Sequence, residues 1–453
     1  MEYSGARFCC CSMQASTSPV VVWFRRNLRL DDNPCWNAAC ETGQPVLPVV
    51  VLDPASWDAD EWGFMRTGPF RTHFWLESVQ DLQEQLQALG GKLLVLKGRP
   101  EKVLYELAQE TGATALFSQH EPADEENQQQ KRVESRLSSL GVDSQFSWGL
   151  TLFYPQDLPF PPEHLPDLFT TFRHKVEAHS LVQSPLDAPK HITWPEDWPT
   201  LQTCLTQLPS CQELCGETAE ADSRGVMHFQ GGERAGLAWM REWMVERDRL
   251  RTYKLTRNEM LGADYSSKLS PWLAQGCLSP RRVWAEVENY EREHQPNDST
   301  YWLKFELLWR DFFAFVLNRY GVQLFQPAGL LGVTLTWSWD PEQFEAWRTG
   351  QTGVPLVDAN MRELLLTGYM SNRGRQNVAS FLTKNLGLDW RAGAAWFEHR
   401  LVDYDVASNY GNWCYNAGVG NDARGWRYFN IPVQANKYDK EGAYVKHWLP
   451  ELS

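Results

Sequence analysis

The chain has 453 residues, with 43 Lys or Arg against 57 Asp or Glu, a formal charge of −14 and 22 Trp. That length suits two or three domains with large cores, and a 43% hydrophobic fraction excludes a disordered chain. No stretch approaches the roughly 18 continuous apolar residues of a membrane span, and a −14 charge, if evenly spread, would repel nucleic-acid phosphates.

Residues 1–18, with Arg7, the Cys9–Cys11 run and Ser/Thr, read as an N-terminal extension: a tag or the remnant of an organelle transit peptide. They lack the apolar core of a secretion signal. Val20–Phe24 and Val46–Leu52 are short β-branched or apolar runs, as buried parallel strands require. Phe70–Leu89 has helical periodicity and stops at Gly90-Gly91. Lys92–Leu96 reads as a third strand, Pro100 opens a helix to Glu110, and Ala113–Ser118 is a fourth strand. Glu121–Leu140 is a polar helix and Ser144–Trp148 a fifth strand. This alternation predicts a doubly wound parallel sheet over residues 19–150, the α/β half of an α/β plus all-α chain. The first strand runs into Arg25-Arg26-Asn27-Leu28-Arg29, with neither GxGxxG nor GxxxxGK[ST], so nicotinamide and nucleoside-triphosphate sites are disfavoured.

Residues 151–228 carry ten Pro and little periodicity, and read as an interdomain connector. Cys204, Cys211 and Cys215 lie there, but the ten cysteines form no CxxC pair, so zinc is not expected. Scattered thiols in a long chain indicate an intracellular protein, of undecided compartment. Residues 229–453 read as helices: Glu233–Glu246, Pro280–Glu293, Tyr301–Tyr320, Pro341–Thr349, Pro355–Thr367, Arg375–Asn385 and Arg391–Leu401. Charge divides along the same line. Residues 1–228 hold 17 basic and 31 acidic residues, whereas residues 229–453 hold 26 of each and 14 of the 22 Trp. The helical half is therefore open to nucleic acid where the first half is not.

Four segments of the helical half carry chemistry. Tyr265-Ser266-Ser267-Lys268-Leu269-Ser270-Pro271-Trp272 offers backbone and hydroxyl donors to a phosphate, or is an ordinary helix cap. Glu306, Trp309 and Arg310 share one helical face, suited to a planar polar ligand or simply to a charged surface over a Trp/Phe core. Asn372, Arg373, Arg375 and Gln376 flank Gly374 in a polar run that a solvated turn would also explain. Asp403 and Asp405 precede Asn409-Tyr410-Gly411-Asn412-Trp413; a metal would need more ligands, and pairing with Arg375 is as good a use.

In this order and spacing, and with Val22-Trp23-Phe24-Arg25-Arg26-Asn27-Leu28-Arg29 and Asp358-Ala359-Asn360-Met361-Arg362-Glu363-Leu364, the segments resemble the photolyase/cryptochrome family, and most of all its DASH-type cryptochromes. The resemblance spans Val20 to Leu452. It implies FAD in a helical domain over residues 229–453, with Tyr253 and Ser266, Ser267, Lys268, Leu269 and Ser270 at the diphosphate and Arg310 close by. It places Arg375 paired with Asp403 beside the flavin ring, Asp405 at the ring's polar edge and Asn409 at N5. A neutral amide there tolerates the negative charge of reduced flavin, which a carboxylate would repel.

The implied activity is blue-light-driven repair of cyclobutane pyrimidine dimers by electron transfer from excited reduced FAD. Glu306 would bind the thymine edge, Trp309 would stack on the dimer, and Arg257 and Asn372 would contact substrate. Family members that repair duplex DNA tend to carry Trp where this chain has Tyr415, and Met where it has Gln376. The lost stacking, about 1–3 kcal/mol per base, leaves less to offset base extrusion, so single-stranded or looped DNA is the expected partner of an expected monomer. Trp413, Trp390 and Trp337 match the family's electron-transfer chain, with Trp339 a rival for the outer position; Trp239, Trp243, Trp284, Trp302, Trp347 and Trp396 are expected in the core. A folate antenna (5,10-methenyltetrahydrofolate) is expected in residues 19–150, held by Glu121 at the opening of a helix. Cys277 and Cys414 are expected to be packing thiols. A photoreceptor without efficient repair is the alternative; the stop at Ser453 directly after the helical domain favours the enzyme. Repair of (6-4) photoproducts needs a His that Met370-Ser371-Asn372 does not supply.

Overall fold

The computed structural model describes residues 18–220, 222–333, 335–422 and 428–452. The expected extension, apart from Ser18, lies outside the described residues. Five parallel strands, β1 (Val20–Phe24), β2 (Val46–Leu52), β3 (Leu94–Lys97), β4 (Ala115–Gln119) and β5 (Asp143–Ser147), pair in the order β3-β2-β1-β4-β5. Val20 of β1 stands opposite Val46 of β2 and Ala115 of β4. Because β1 is central and covered on both faces, every one of its residues is buried, and an uninterrupted apolar run results.

The two faces have different fates. Val21 and Trp23 point into a local core with Leu47, Val49 and Leu116, capped by Leu104 and Leu107 of the Pro100–Thr111 helix and Val133 and Leu137 of the Asp124–Ser138 helix. Val20, Val22 and Phe24 point the other way. There, with Phe74 and Val79 of the Pro69–Ala88 helix, they join one core continuous with the helical domain. The helix expected from Glu121 opens only at Asp124: Pro122 and Ala123 stay extended, and the acidic residues Asp124, Glu125 and Glu126 fill the first turn, where the helix dipole favours them.

Residues 151–228 are more ordered than their composition suggests. Phe169–His179 is a helix whose Phe169, Phe172 and Val176 are buried, the i, i+3, i+7 stripe of an amphipathic helix. It packs on the Asp298–Tyr320 helix through Phe312 and Phe315. A one-turn helix, Cys211–Cys215, follows. In the helical domain the expected helices are present, and two run on through a π turn, at Glu242–Glu246 and Phe381–Asn385. The helices Val406–Ala417, Ile431–Tyr438 and Ala443–Trp448 add to them. No helix among the described residues is long and apolar enough to cross a membrane.

What ties the domains together is the loop leaving β1. Asp32 accepts from Arg281 Nε and Nη2, both at 2.9 Å, and the two side chains are 0% and 1% exposed. Leu30 N and Asp31 N donate to the Glu233 carboxylate at 2.8 and 2.9 Å. Arg29 donates to the Gly276 carbonyl at 2.9 Å. Gly276 cannot be another residue: its φ is +68°, and a Cβ would stand 1.9 Å from the Arg26 carbonyl.

Removing one partner of a buried ion pair strands the other charge. Asp32→Asn, which keeps the volume, is therefore expected to cost about 3–5 kcal/mol in urea unfolding. A loss below about 1 kcal/mol would show that the pair does not hold the domains.

Candidate functional site

The Tyr265–Ala274 stretch turns sharply before its short helix, with Lys268 at φ +51°. This turn aims Ser266, Ser267 and Ser270 into a cavity of about 260 Å³ that Tyr253, Arg310, Arg375 and Asp403 also line. The turn also changes the expected role of Lys268. Its ammonium is buried, donates to the Ala263 carbonyl at 2.7 Å and lies 3.4 Å over the Tyr265 ring. Burial pushes it down to about 7. Its main chain faces the cavity turn, but its charge is committed elsewhere, so it is not a free phosphate-binding cation.

A second compartment of about 220 Å³ shares Ser270, Arg375, Asp403, Asp405 and Ser408 with the first. Arg375 Nη2 donates to both oxygens of Asp403, at 2.8 and 3.0 Å, and Ser270 Oγ donates to Asp403 at 2.6 Å. Asp405 caps the Val406–Ala417 helix by accepting from Ser408 N at 2.8 Å. That cap places Asn409 one turn in, against the cavity. Asn409 Nδ2 donates to the Ala394 carbonyl at 3.0 Å. The bond fixes the amide's orientation and leaves Oδ1 as an acceptor with no partner among the described residues. Asn416 Oδ1, on the same wall, is buried and unpaired.

Asp405 draws on the other domain. Arg26 pairs with it, donates to the Ala274 carbonyl at 3.1 Å and stands 3.8 Å from Glu121. Burial alone would raise the Asp405 carboxyl, but the charge of Arg26, then of Arg310, overcomes it and holds the group at about 2. Arg26 was visible in the sequence only as part of a motif; its partner lies 379 residues away. Arg310 donates to the Leu150 and Leu273 carbonyls, bridging the end of the α/β domain and the helical domain beside the cavity.

A third cavity, about 480 Å³, opens on the far side of Glu306, Arg310, Asn372 and Ser408, which it shares with the first. Glu306 is paired with Arg257, whose guanidinium lies 5.1 Å over the Trp302 ring. Trp302, expected in the core, is thus part of this wall. Trp309 lines the cavity with Tyr415 edge-on at 6.0 Å; Phe169 of the connector stacks on it at 3.6 Å and 11°, and Phe313 lies 5.4 Å away at 29°. Arg373 donates to Gln376 at 2.7 Å and Asn258 at 2.9 Å on the rim. The helical stripe Phe169-Phe172-Val176 was the available signal for this backing, and the Pro-rich surroundings obscured it.

The three tryptophans expected to carry electrons differ in burial. Trp413 is 2% and Trp390 0% exposed, while Trp337 is half-buried. Trp390 and Trp337 donate to the same Pro327 carbonyl, at 3.2 and 3.0 Å, and so stand side by side. Trp339 lies elsewhere, half exposed against Trp62 at 5.1 Å. Trp347 is core, as expected, and touches Trp413. Cys277 and Cys414 are buried. At the carboxyl ends of the strands a cavity of about 520 Å³ is lined by Trp23, Arg26, Asp53, Arg66 and Glu121. Glu121 is buried in the loop before the helix and accepts from Gln119 at 2.9 Å.

A family model described as the FAD-binding domain of DNA photolyase matches residues 302–453, and one described as DNA photolyase matches residues 20–190. Cryptochrome DASH of Gloeobacter violaceus is 51% identical over 438 residues, 97% of this chain and 87% of its own. The chain belongs to the photolyase/cryptochrome family. Cryptochrome DASH of Danio rerio is 45% identical, over 97% of this chain and 84% of its own. Among solved structures, a Synechocystis cryptochrome superposes at TM-score 0.92 with 50% identity, covering 96% of this chain and 89% of its own. A class III photolyase of Agrobacterium tumefaciens does so at 0.84 with 31% identity, covering 98% and 89%. As a DASH-type member the protein has FAD as its cofactor. The two joined cavities fit that group: hydroxyls and turn N–H groups in one, and in the other an ion pair, a fixed amide acceptor and an unpaired Asn416 oxygen.

A carboxylate held low stabilises above its ordinary range and loses that contribution as pH falls toward its folded value. In the flavin-loaded protein, Arg26→Gln removes the larger of the charges that depress Asp405. The pH midpoint of flavin release, read by absorbance on acid titration, is expected to rise. An unchanged midpoint would show that Arg26 does not set the state of Asp405.

Proposed function

We propose that this protein repairs cyclobutane pyrimidine dimers in single-stranded or looped DNA under blue light, acting as a monomer. The observation that carries the reading is the shared wall. Glu306, Arg310, Asn372 and Ser408 line both the cavity assigned to FAD and the one that Trp309 and Tyr415 flank. A planar ligand in the outer cavity would be separated from the cofactor site by no more than this one shared layer of side chains.

In this reading Tyr253, Ser266, Ser267 and Ser270, with the main chain of Lys268 and Leu269, hold the diphosphate. Arg375, Asp403, Asp405 and Asn409 surround the ring, and Arg310 fixes the wall. When bound and reduced, FAD supplies an electron to the lesion on excitation and takes it back. No general base is required. Asn409 Oδ1 accepts from a ring N–H without adding charge. The Arg375–Asp403 pair sets a fixed dipole beside the ring, and because the Asp403 carboxylate has a resident cation, it does not oppose negative charge there.

On the lesion side, Glu306 is blocked until Arg257 leaves it. Burial raises the Glu306 carboxyl and the Arg257 charge opposes that rise. Entry of an anionic strand gives Arg257 a phosphate to bind. Glu306 is then free to accept from the thymine N–H, with Trp309 as platform and Asn372 and Gln376 at the rim. Phe169 covers one face of Trp309 and Phe313 lies 5.4 Å from its ring at 29°, so the dimer meets only the part of Trp309 that lines the outer cavity. Tyr415 meets Trp309 edge-on and adds little stacking surface, which favours substrates with no base pair to break. Trp413, Trp390 and Trp337 are the proposed route by which oxidised cofactor is recharged. The 520 Å³ cavity holds a folate antenna, with Glu121 on its pterin.

The curated relatives carry the name cryptochrome, which favours a second reading, a blue-light photoreceptor that binds FAD without efficient repair. Illumination of the reduced protein with dimer-containing oligonucleotides separates the two. The expected result is faster repair of single-stranded than duplex dimers. Equal rates would contradict the substrate preference, and no repair of either would favour the photoreceptor. Glu306→Ala is expected to lower the repair yield about 10-fold, the loss of roughly 1.4 kcal/mol from one charge-assisted hydrogen bond. Flavin content measured in the same sample confirms that the cofactor site is intact.

A further inference from the structure

The connector carries a feature that neither flavin nor DNA binding uses. The one-turn helix Cys211–Cys215 puts two thiols on one face, 9% and 4% exposed, with sulfurs 3.5 Å apart. Cys211 Sγ also lies 3.4 Å from the Pro69 carbonyl, and Cys215 Sγ 3.2 and 3.4 Å from the Cys211 and Glu217 carbonyls, alternative acceptors for each thiol's one proton. By contrast Cys277 and Cys414 pack singly, against Ser78 Oγ and the Leu324 carbonyl. We propose that Cys211 and Cys215 form a reversible dithiol–disulfide site whose oxidant is a small disulfide of the glutathione class.

The chemistry balances within the pair and its oxidant. The Cys215 thiolate attacks one sulfur of the small disulfide and expels a first thiolate, which takes a proton. The Cys211 thiolate, having lost its proton to solvent, attacks Cys215 Sγ in the mixed disulfide and expels the second. The two cysteines lose two electrons and two protons, and the oxidant's S–S bond becomes two thiols. Either thiol can donate the hydrogen bond between the sulfurs; when Cys211 donates it, the thiolate is favoured at Cys215 and disfavoured at Cys211.

Closure needs the sulfurs to move from 3.5 Å to about 2.05 Å, and the Cβ atoms of an i, i+4 pair to approach by about 1–2 Å. The local structure allows this. The helix is five residues long and ends at Gly216 with φ +70°. Gln212, Glu213, Gly216 and Glu217 are exposed, so the turn can open to admit a small oxidant without unpacking a core. The position also gives the state a consequence. Cys211 is bonded to Pro69, at the head of a helix whose preceding residues Arg66 and Thr67 line the 520 Å³ cavity. Glu217 holds Arg400 at 3.5 Å, at the end of the helix that leads into Asp403 and Asp405.

The test uses the full-length, flavin-loaded protein in glutathione buffers of graded oxidised-to-reduced ratio. Samples are quenched with acid, alkylated after denaturation and analysed by peptide mass. The expected product is a peptide spanning residues 211–215 that carries no alkyl group, weighs two hydrogens less than the dithiol and returns to it with dithiothreitol. In Cys211→Ser the expected product is a glutathione adduct on Cys215, the first step without the second. Alkylation of both cysteines at the most oxidising ratio would overturn the proposal, as would a bond from either to Cys204. The wild-type measurement stands on its own should the variant fail to fold.

Discussion

A carboxylate and a guanidinium with almost no exposed surface, Asp32 and Arg281, join the sheet to the helices. Two such charges survive burial only as partners, so the domains are held in one relation. The rest of the β1 loop uses that fixed relation. Arg29 reaches Gly276, Glu233 takes the Leu30 and Asp31 amides, and Arg26 reaches Asp405. The carboxyl end of the central strand therefore supplies a charge to the flavin pocket 379 residues further along the chain. Open α/β sheets place ligands at such strand ends. Here Arg26 stands at that end between Glu121 on one side and Asp405 on the other.

The cavities proposed for the flavin are built from charges already paired and a neutral amide. Asp403 has Arg375 and Ser270, and Asp405 has Arg26 and a helix cap. Neither carboxylate is left to repel negative charge on the ring. Asn409 is oriented by a single bond to Ala394. The outer cavity differs: its carboxylate, Glu306, is held by Arg257, the cation that on the proposed reading an anionic ligand draws away. The difference is accessibility. Asp403 is 2% exposed in its side chain whereas Glu306 is 30% exposed.

Much of this was legible in the sequence, and the exceptions have physical causes. The strands and long helices follow from apolar periodicity, and the site segments follow from runs that are long and specific. The Arg375–Asp403 pair was expected and is present. Lys268 lines the expected cavity, but residue type says nothing about the sign of φ, and its ammonium is turned to the Ala263 carbonyl. Glu121 falls outside its helix because Pro122 delays the first turn. The Phe169–His179 helix was hidden by the prolines around it, though its apolar stripe was complete. The Arg26–Asp405 and Phe169–Trp309 contacts are long-range, and no local pattern encodes them.

The acidic excess at first argued against a nucleic-acid partner. It lies wholly in residues 1–228, while the half that carries the outer cavity is neutral and concentrates Arg257, Arg310 and Arg373 at that cavity. The most direct measurement of the central claim is a crystal structure of the flavin-loaded protein with a dimer-containing single-stranded oligonucleotide. The expected result has the dimer in the outer cavity against Trp309, Glu306 bonded to its base edge and Arg257 moved onto a phosphate. A dimer bound elsewhere, with the Arg257–Glu306 pair intact, would contradict it.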